Sequence, residues 1–507
     1  MSKKLRSLEE LQQLVAELKS EGKKVVQSHG VFDLLHIGHI RHLEEAKSLG
    51  DILITTVTPD EFVHKGPNRP AFQTALRLEA LAALGVVDFV AANTWASAVE
   101  TIKLIQPDIY CKGPDYKQHD EDLTGKISEE ESAVVSVGGT IHYTGGITFS
   151  SSNLLNEYGN VFSENQRDFL SRTASKSSPI QTLEAVNNLS DLRVLVLGES
   201  IVDQYVFCEA LGKSGKEPVL VNRELSREQY AGGAFAIARH LADFCSEITL
   251  LSMLGEDGAY EDFFRGLLPT NADAQFIYKN GAPTIIKKRF VDNVSKSKTM
   301  GVYNLEDSLL DEAQQNDLDD HLETMISSHD VLIVSDYGHG FISPNTARKI
   351  SRANIFCSLN AQVNAANIGY HTMNNYHGIE CAIINESELR HELRDRESPV
   401  SALSKRLLVN LQAQYLTVTQ GSSGATLFKA DDESAYNCPA FAGSVVDKVG
   451  SGDAMLALLS CCLKNDVDID LALLIASLAA AQVVESVGNS TPVNKVQLLK
   501  ALQCIAK

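Results

Sequence analysis

The sequence predicts an α/β protein of two successive domains, each a parallel sheet flanked by helices. Three observations predict it. Short β-branched runs alternate with helical periods from Lys24 to Lys112, and a second alternation of the same kind begins at Leu192. Between them, Tyr158–Asp191 is polar and Ser-rich, with no strand pattern. Alternation at this spacing builds parallel sheets, because each parallel crossover needs a helix. The expected division is a first domain over 1–157, a linker over 158–190 with room for one short helix, and a second domain over 191–507.

Taken in order, Ser7–Glu21 reads as a helix, with Leu8, Leu11, Leu14 and Leu18 at helical spacing. Lys24–Ser28 is a strand, His36–Leu49 a helix and Asp51–Val57 a strand. Thr74–Leu84 (helix), Val87–Ala91 (strand), Ala96–Ile105 (helix) and Ile109–Lys112 (strand) complete the first alternation. In the second, strands are expected at Leu192–Leu197, Ile248–Ser252, Val331–Val334, Ile355–Leu359, Ala382–Ile384 and Tyr415–Thr419. Helices such as Ala234–Asp243 and Ala454–Leu463 lie between or after them.

Composition narrows the class. The chain has 507 residues, with 45 Lys and Arg against 65 Asp and Glu, for a net charge of −20. That balance argues against nucleic acid or an anionic membrane surface as partner, while leaving room for a small anionic substrate. No signal-peptide h-region is visible, and no apolar run reaches the ~18 residues of a membrane span. Nine cysteines are scattered without a CxxC pair. Neither a zinc site nor a disulfide framework is expected, and the expected location is the cytoplasm.

Two constellations carry chemistry. The first is HGVFDLLHIGHIRHLEEAKSLGD, His29–Asp51. His36 and His39 are three apart and project from one face of a helix's first turn, where free N–H groups favour an anion. Gly38 lets a phosphate approach the backbone. Two imidazoles there suit the α-phosphate of a nucleotide under attack. The plain alternative is two surface histidines. The second is SVVDKVGSGDAMLALLSCCL, Ser444–Leu463, in which Gly450-Ser451-Gly452-Asp453 precedes an apolar helix. Small residues at a helix start expose an anion hole, and Asp453 at its mouth suits a base for a hydroxyl attacking a γ-phosphoryl group. The alternative is a glycine turn capped by Asp.

The first half resembles the HxGH nucleotidyltransferases, closest to the sugar-phosphate nucleotidyltransferase domain of ADP-heptose synthases. The likeness covers roughly 24–157 and includes Gly30, Phe32-Asp33, Lys65-Gly66, Arg69-Pro70, Arg77, Lys112–Lys117 and Ser150–Asn153. It implies a Rossmann-like fold in which His36 and His39 stabilise the transition state and Lys65 neutralises phosphates. Ser150 and Ser151 would hold the triphosphate, or simply cap a helix. Gly30, Phe32, Asp33, Gly38, Arg77 and Lys112 are the further expected nucleotide-site residues. For Arg69 and Arg77, a solvated face stands open beside a phosphate contact.

The second half resembles the ribokinase-like sugar kinases over about 190–507. The motifs are LVLGESIVDQY (Leu195–Tyr205), Gly232-Gly233-Ala234, Ser335-Asp336-Tyr337, Asn385–Glu388, Thr419–Gly424 and Asp447–Asp453. The resemblance implies sugar contacts at Asp203, Gly232, Gly233 and Asp453. It implies nucleotide or phosphate contacts at Asn385, Glu388, Thr419, Gly421, Gly424, Gly450, Ser451 and Gly452. Asn385 and Glu388 would organise Mg²⁺ through water, and Asp453 would be the base. Three positions depart from the pattern: Ala236 where these kinases usually have Asn, Val449 in place of Thr, and Leu359–Gln362 without Asp-Pro-Lys. The polar set Asn360, Gln362, Asn364 and Asn367 reads either as sugar ligands or as a polar loop.

Both halves occur together in bifunctional ADP-heptose synthases, with the kinase first; here the order is reversed. The resemblance implies ATP-dependent phosphorylation of a heptose or heptose phosphate at the anomeric hydroxyl. AMP or CMP would then pass from ATP or CTP to the sugar 1-phosphate, with Mg²⁺ on the nucleotides. A homodimer through the kinase domain is a further expectation. The competing reading is a monofunctional nucleotidyltransferase with a degenerate, sugar-binding or regulatory kinase-like half.

Overall fold

In the computed structural model, residues 3–113, 126–145 and 161–505 are described. They divide into two compact units, 1–163 together with 496–507, and 164–495.

The first unit holds α1 (Leu8–Ser20), β1 (Val25–Gly30), α2 (Ile37–Ser48), β2 (Ile52–Val57), α3 (Thr74–Ala82), β3 (Phe89–Ala92), α4 (Val99–Ile105), β4 (Ile109–Lys112), α5 (Lys126–Ser136) and β5 (Thr140–Tyr143). The sheet order is β3-β2-β1-β4-β5, and every pairing is parallel. This is the Rossmann-like arrangement. The order reverses between β1 and β4, so a crevice opens beyond their carboxyl ends, the place where open α/β sheets bind ligands. Helix α1 starts on a capping box, Ser7 with Glu10, and buries Leu8, Leu11 and Val15.

The second unit is built on a nine-stranded sheet of order β10-β9-β6-β13-β14-β15-β16-β17-β18. Its strands are β6 (Arg193–Gly198), β9 (Glu247–Gly255), β10 (Ala272–Lys279), β13 (Val331–Asp336), β14 (Phe356–Ala361), β15 (Cys381–Asn385), β16 (Tyr415–Thr419), β17 (Ala425–Lys429) and β18 (Ala435–Cys438). A separate four-stranded sheet, order β12-β11-β7-β8, comprises β7 (Ser200–Lys213), β8 (Leu220–Gly233), β11 (Ile286–Asp292) and β12 (Lys298–Asn304). We call this four-stranded sheet the lid. The sequence reading did not find it, because its outer ends are solvent-exposed and mix apolar with charged residues. β12 is exposed along its whole length.

Two stretches differ from the expected division. Over 158–190, two helices, Glu164–Lys176 and Pro179–Asn187, take the place of a linker. The first buries Phe169 and sets Arg172 and Lys176 on Asp470, at 3.0 and 2.7 Å. The second has a capping box, Ser178 with Gln181, and Pro179 in its first turn, so the serine-rich composition is partly helix-start chemistry. At the other end, the helix Lys495–Ile505 groups from Val496 onward with the first unit, not the kinase-like one. It buries Leu498, Leu499 and Leu502, and Ala501 lies against Gly66.

Candidate active sites

In the first unit, the chain leaves β1 at His29-Gly30 and turns through Phe32, which takes a left-handed φ of 50°. A Cβ at Gly30 would stand 3.1 Å from the Phe32 ring, a tight contact that glycine avoids. His36 caps α2, its Nδ1 accepting from the Gly38 N–H at 3.1 Å. The His36 and His39 rings stack with centroids 4.0 Å apart, and Phe32 meets His39 edge-on at 5.3 Å. The two rings thus meet at the start of α2, shortly after the end of β1.

His39 is held neutral. Burial pushes its pKa down to about 3, helped by His36, His42 and Lys65. Its buried Nδ1 meets no hydrogen-bonding partner among the described residues. An anionic phosphate arriving there would reverse the balance that keeps the proton off. His42, absent from the sequence-based set, stands behind: Nε2 is 2.8 Å from Ser28 Oγ and Nδ1 is 2.8 Å from Thr144 Oγ1. Its spacing, three beyond His39, was the available signal.

Other expected residues have structural work instead. Asp33 accepts from the Ala71 and Phe72 N–H groups, both at 3.0 Å, and pairs with Arg69 at 3.5 Å, pinning the 69–72 loop. Arg77, one of the expected nucleotide-site residues, has its guanidinium engaged inside the unit. It is 1% exposed, and its guanidinium donates to Phe72 O, Val31 O, Thr74 Oγ1 and Asp60 Oδ1. Lys112, at the end of β4, pairs at 2.7 Å with buried Glu130, so its charge is already compensated. Lys65 is exposed beside Gly66, whose φ is 95°. Ser150 and Ser151 lie outside the described residues.

In the second unit a cavity of about 820 Å³ runs from the lid to the start of the helix Ser451–Lys464. Gly450, with φ of 90°, begins that helix without a side-chain cap. The first N–H groups of Ser451 and Gly452 therefore face an anion-binding mouth. Asp453 is bonded by Tyr337, whose O–H donates at 3.1 Å. Burial pushes its carboxyl up to about 7, with Asp203 and Glu388 adding and Lys287 opposing. A base poised there can both take and release a proton near neutrality.

Asp203 lines the same cavity, buried beside Gly232 and ion-paired to Arg289. A Cβ at Gly232 would fall on its carboxylate, which is why the double glycine sits there. Gly233, Thr419 and Gly421 also reach the cavity. Gly424 does not line it; with φ of 94° it closes the turn where a Cβ would strike Cys438 O. Asn385 and Glu388 form a reciprocal helix cap at 2.8 and 3.1 Å while lining the cavity. Among the polar set, Asn360 and Gln362 face the cavity, whereas Asn364 and Asn367 donate to Tyr337 O and hold its loop.

Sequence reasoning missed the lid's cations. Lys287, Arg289 and Lys298 all line the cavity. Lys298 pairs at 2.6 Å with Asp447, which also accepts from Tyr205 O–H at 2.6 Å. Burial lowers Lys287 to about 8, and its ammonium lies 4.9 Å from the Tyr337 ring. No motif announces them, because they belong to lid strands that showed no pattern. Behind Tyr337, buried Glu199 accepts from the Tyr337 and His339 N–H groups, both at 2.9 Å.

Among the described residues no group of three or more His, Cys, Asp or Glu could hold a metal ion, and no helix is long and apolar enough to cross a membrane. Residues 28–178 match the family model described as cytidylyltransferase-like. The bifunctional protein HldE of Koribacter versatilis is 30% identical over 319 residues, 62% of this chain and 64% of that protein. HldE of Sulfurimonas denitrificans is 44% identical over 115 residues, 22% of this chain and 24% of that one. The chain thus spans less than two thirds of the length of these curated relatives. A solved phosphofructokinase-2 from Escherichia coli is 14% identical with a TM-score of 0.49, covering 63% of this chain and 100% of that chain. Residues 191–496, more than half of the chain, match the family model described as pfkB family carbohydrate kinase. The chain belongs to the pfkB family of carbohydrate kinases, and it carries a cytidylyltransferase-like nucleotidyltransferase domain ahead of the kinase domain.

Proposed function

We propose that the chain is a bifunctional enzyme that activates a sugar in two steps, first as its 1-phosphate and then as a nucleotide sugar. The observation that carries this reading is the pairing of two phosphate sites in one chain. One is the stacked His36–His39 pair at a helix start, and the other is Asp453 at the mouth of an anion hole.

In the kinase site, Asp453 takes the proton of the acceptor hydroxyl as its oxygen attacks the γ-phosphorus of ATP, and ADP leaves toward Gly450–Gly452. The acceptor we favour is a heptose phosphate, phosphorylated at the anomeric hydroxyl. Lys287 sets an ammonium on the lid side of the cavity, beside the paired Arg289 and Lys298, suited to an anionic group on the far end of a sugar. Mg²⁺ fits this site only through water: Asn385 and Glu388 are few and engaged with each other, which suits an ion carried mainly by the nucleotide phosphates. When bound, the ion neutralises charge on those phosphates.

In the transferase site the sugar 1-phosphate is already an anion, so no base is required. Its oxygen attacks the α-phosphorus of ATP or CTP and pyrophosphate leaves. His36, His39 and Lys65 supply donors and positive charge as negative charge builds. The exposed apolar residues of the lid, Leu220, Leu225, Met300 and Val302, support a homodimer through that sheet. Nine free, buried cysteines suit a reducing cytoplasm.

Two variants test the division of labour. Asp453→Asn should abolish sugar-dependent ADP release while pyrophosphate release from supplied sugar 1-phosphate continues. His39→Ala should do the reverse. Surviving ADP release in the first, or surviving pyrophosphate release in the second, would contradict the corresponding assignment.

A further inference from the structure

We infer that Asn489 is a sugar-binding residue of the kinase site, its carboxamide holding a hydroxyl adjacent to the one held by Asp203. The inference rests on the sugar-kinase reading of this cavity and specifies its acceptor as a vicinal diol.

Asn489 lines the cavity yet is only 2% exposed. Its Oδ1 is buried and accepts no hydrogen bond among the described residues. Native structures rarely leave a buried amide unpaired, because its desolvation is then uncompensated. The backbone around it is pinned on both sides. Gly488 N–H donates to Asp447 at 3.1 Å, and Arg239 Nη1 donates to Asn489 O at 3.0 Å. The side chain is thus aimed by its backbone and not by bonds of its own.

Gly450 leaves space for the amide, and a Cβ at Gly232 would lie in ordinary contact with it. A Cβ at Gly450 would fall on Asn489 Oδ1, and one at Gly232 would stand 3.5 Å from its Nδ2. The amide therefore spans from the start of the anion-hole helix to the glycine that also shelters the Asp203 carboxylate. Asp203, ion-paired to Arg289, can only accept hydrogen bonds. Asn489 can both accept and donate. Neighbouring hydroxyls of a sugar, each a donor and an acceptor, match that pair.

The test measures KM for acceptor and for ATP with the full-length protein and its Asn489→Ala variant, using a panel of heptoses, hexoses and their phosphates. For the acceptor turned over, analogues each lacking one ring hydroxyl are compared. The variant should raise acceptor KM about tenfold or more and leave ATP KM within about twofold. One deoxy analogue should cost the wild type a similar factor and cost the variant nothing further. Should Asn489→Ala not fold by thermal melting, Asn489→Ser is compared in the same way. An unchanged acceptor KM, or deoxy penalties that all persist in the variant, overturns this assignment alone. A wild type that turns over no sugar of the panel overturns the sugar-kinase reading and this assignment with it.

Discussion

Removing the Tyr337 hydroxyl should move the pH dependence of the kinase step upward. The phenol donates to Asp453 at 3.1 Å, and its own pKa is raised far above ordinary by burial and by Asp453, so it remains a donor across the working range. A hydrogen bond to a charged group contributes about 1.5–3 kcal/mol, here to the ionised carboxylate. At ~1.4 kcal/mol per pKa unit, Tyr337→Phe should raise Asp453 by roughly 1–2 units above its value of about 7. The sign follows from the role: a base works ionised, so activity is lost as pH falls through its pKa, and a higher pKa loses it sooner. At neutral pH the ionised share should fall from about half to roughly 1–10%, cutting kcat/KM by roughly 5- to 50-fold. Phe keeps the ring that Lys287 faces at 4.9 Å, so that contact survives. The assay is initial-rate ADP release from about pH 5.5 to about pH 10, with recovery expected on the alkaline side. A variant whose rising limb coincides with that of the wild type, or whose loss is equal at every pH, would refute the reasoning.

Two further outcomes follow from residues whose expected and observed roles differ. Arg77→Met should lower the thermal unfolding midpoint of the transferase unit, since it removes the buried donor to the Phe72 and Val31 carbonyls; a cost of about 1–3 kcal/mol is expected. In the folded fraction, KM for nucleotide should stay near wild type, and a selective rise would restore a nucleotide role. Deleting residues 496–507 should destabilise the transferase unit while kinase turnover persists, because the buried Leu498, Leu499 and Leu502 belong to that unit. Equal loss of both activities with an unchanged transferase melting transition would contradict this grouping.

The first domain was legible because its elements are local. Ile52–Val57 and Ile109–Lys112 are strands within a residue of their expected bounds, and the strand-to-helix turn at His29–His39 is where the motif lies. The burial of Arg77 was not legible because a buried arginine and a phosphate-binding arginine look alike in one dimension. What separates them is Asp60, 17 positions away and folded beside it. The lid cations were invisible for a related reason: Lys287 and Arg289 lie far from Asp203 along the chain, and the pairing of β11 with β7 brings them together, while Lys298 meets Asp447 from β12.

The amino-acid sequence by itself determined two α/β domains, their order, and the two helix starts where phosphates are expected. Those features arise from period, glycine and histidine spacing within about one helical turn. Only the tertiary structure decided which polar residues face a cavity and which are spent holding loops. It separated Asn360 and Gln362 from Asn364 and Asn367, and it set Arg77 on Asp60 and Lys112 on buried Glu130. It also delivered Asn489 to Gly450 from 39 positions away. The physical reason is that a side chain's role depends on desolvation and on long-range partners, and neither is encoded in local spacing.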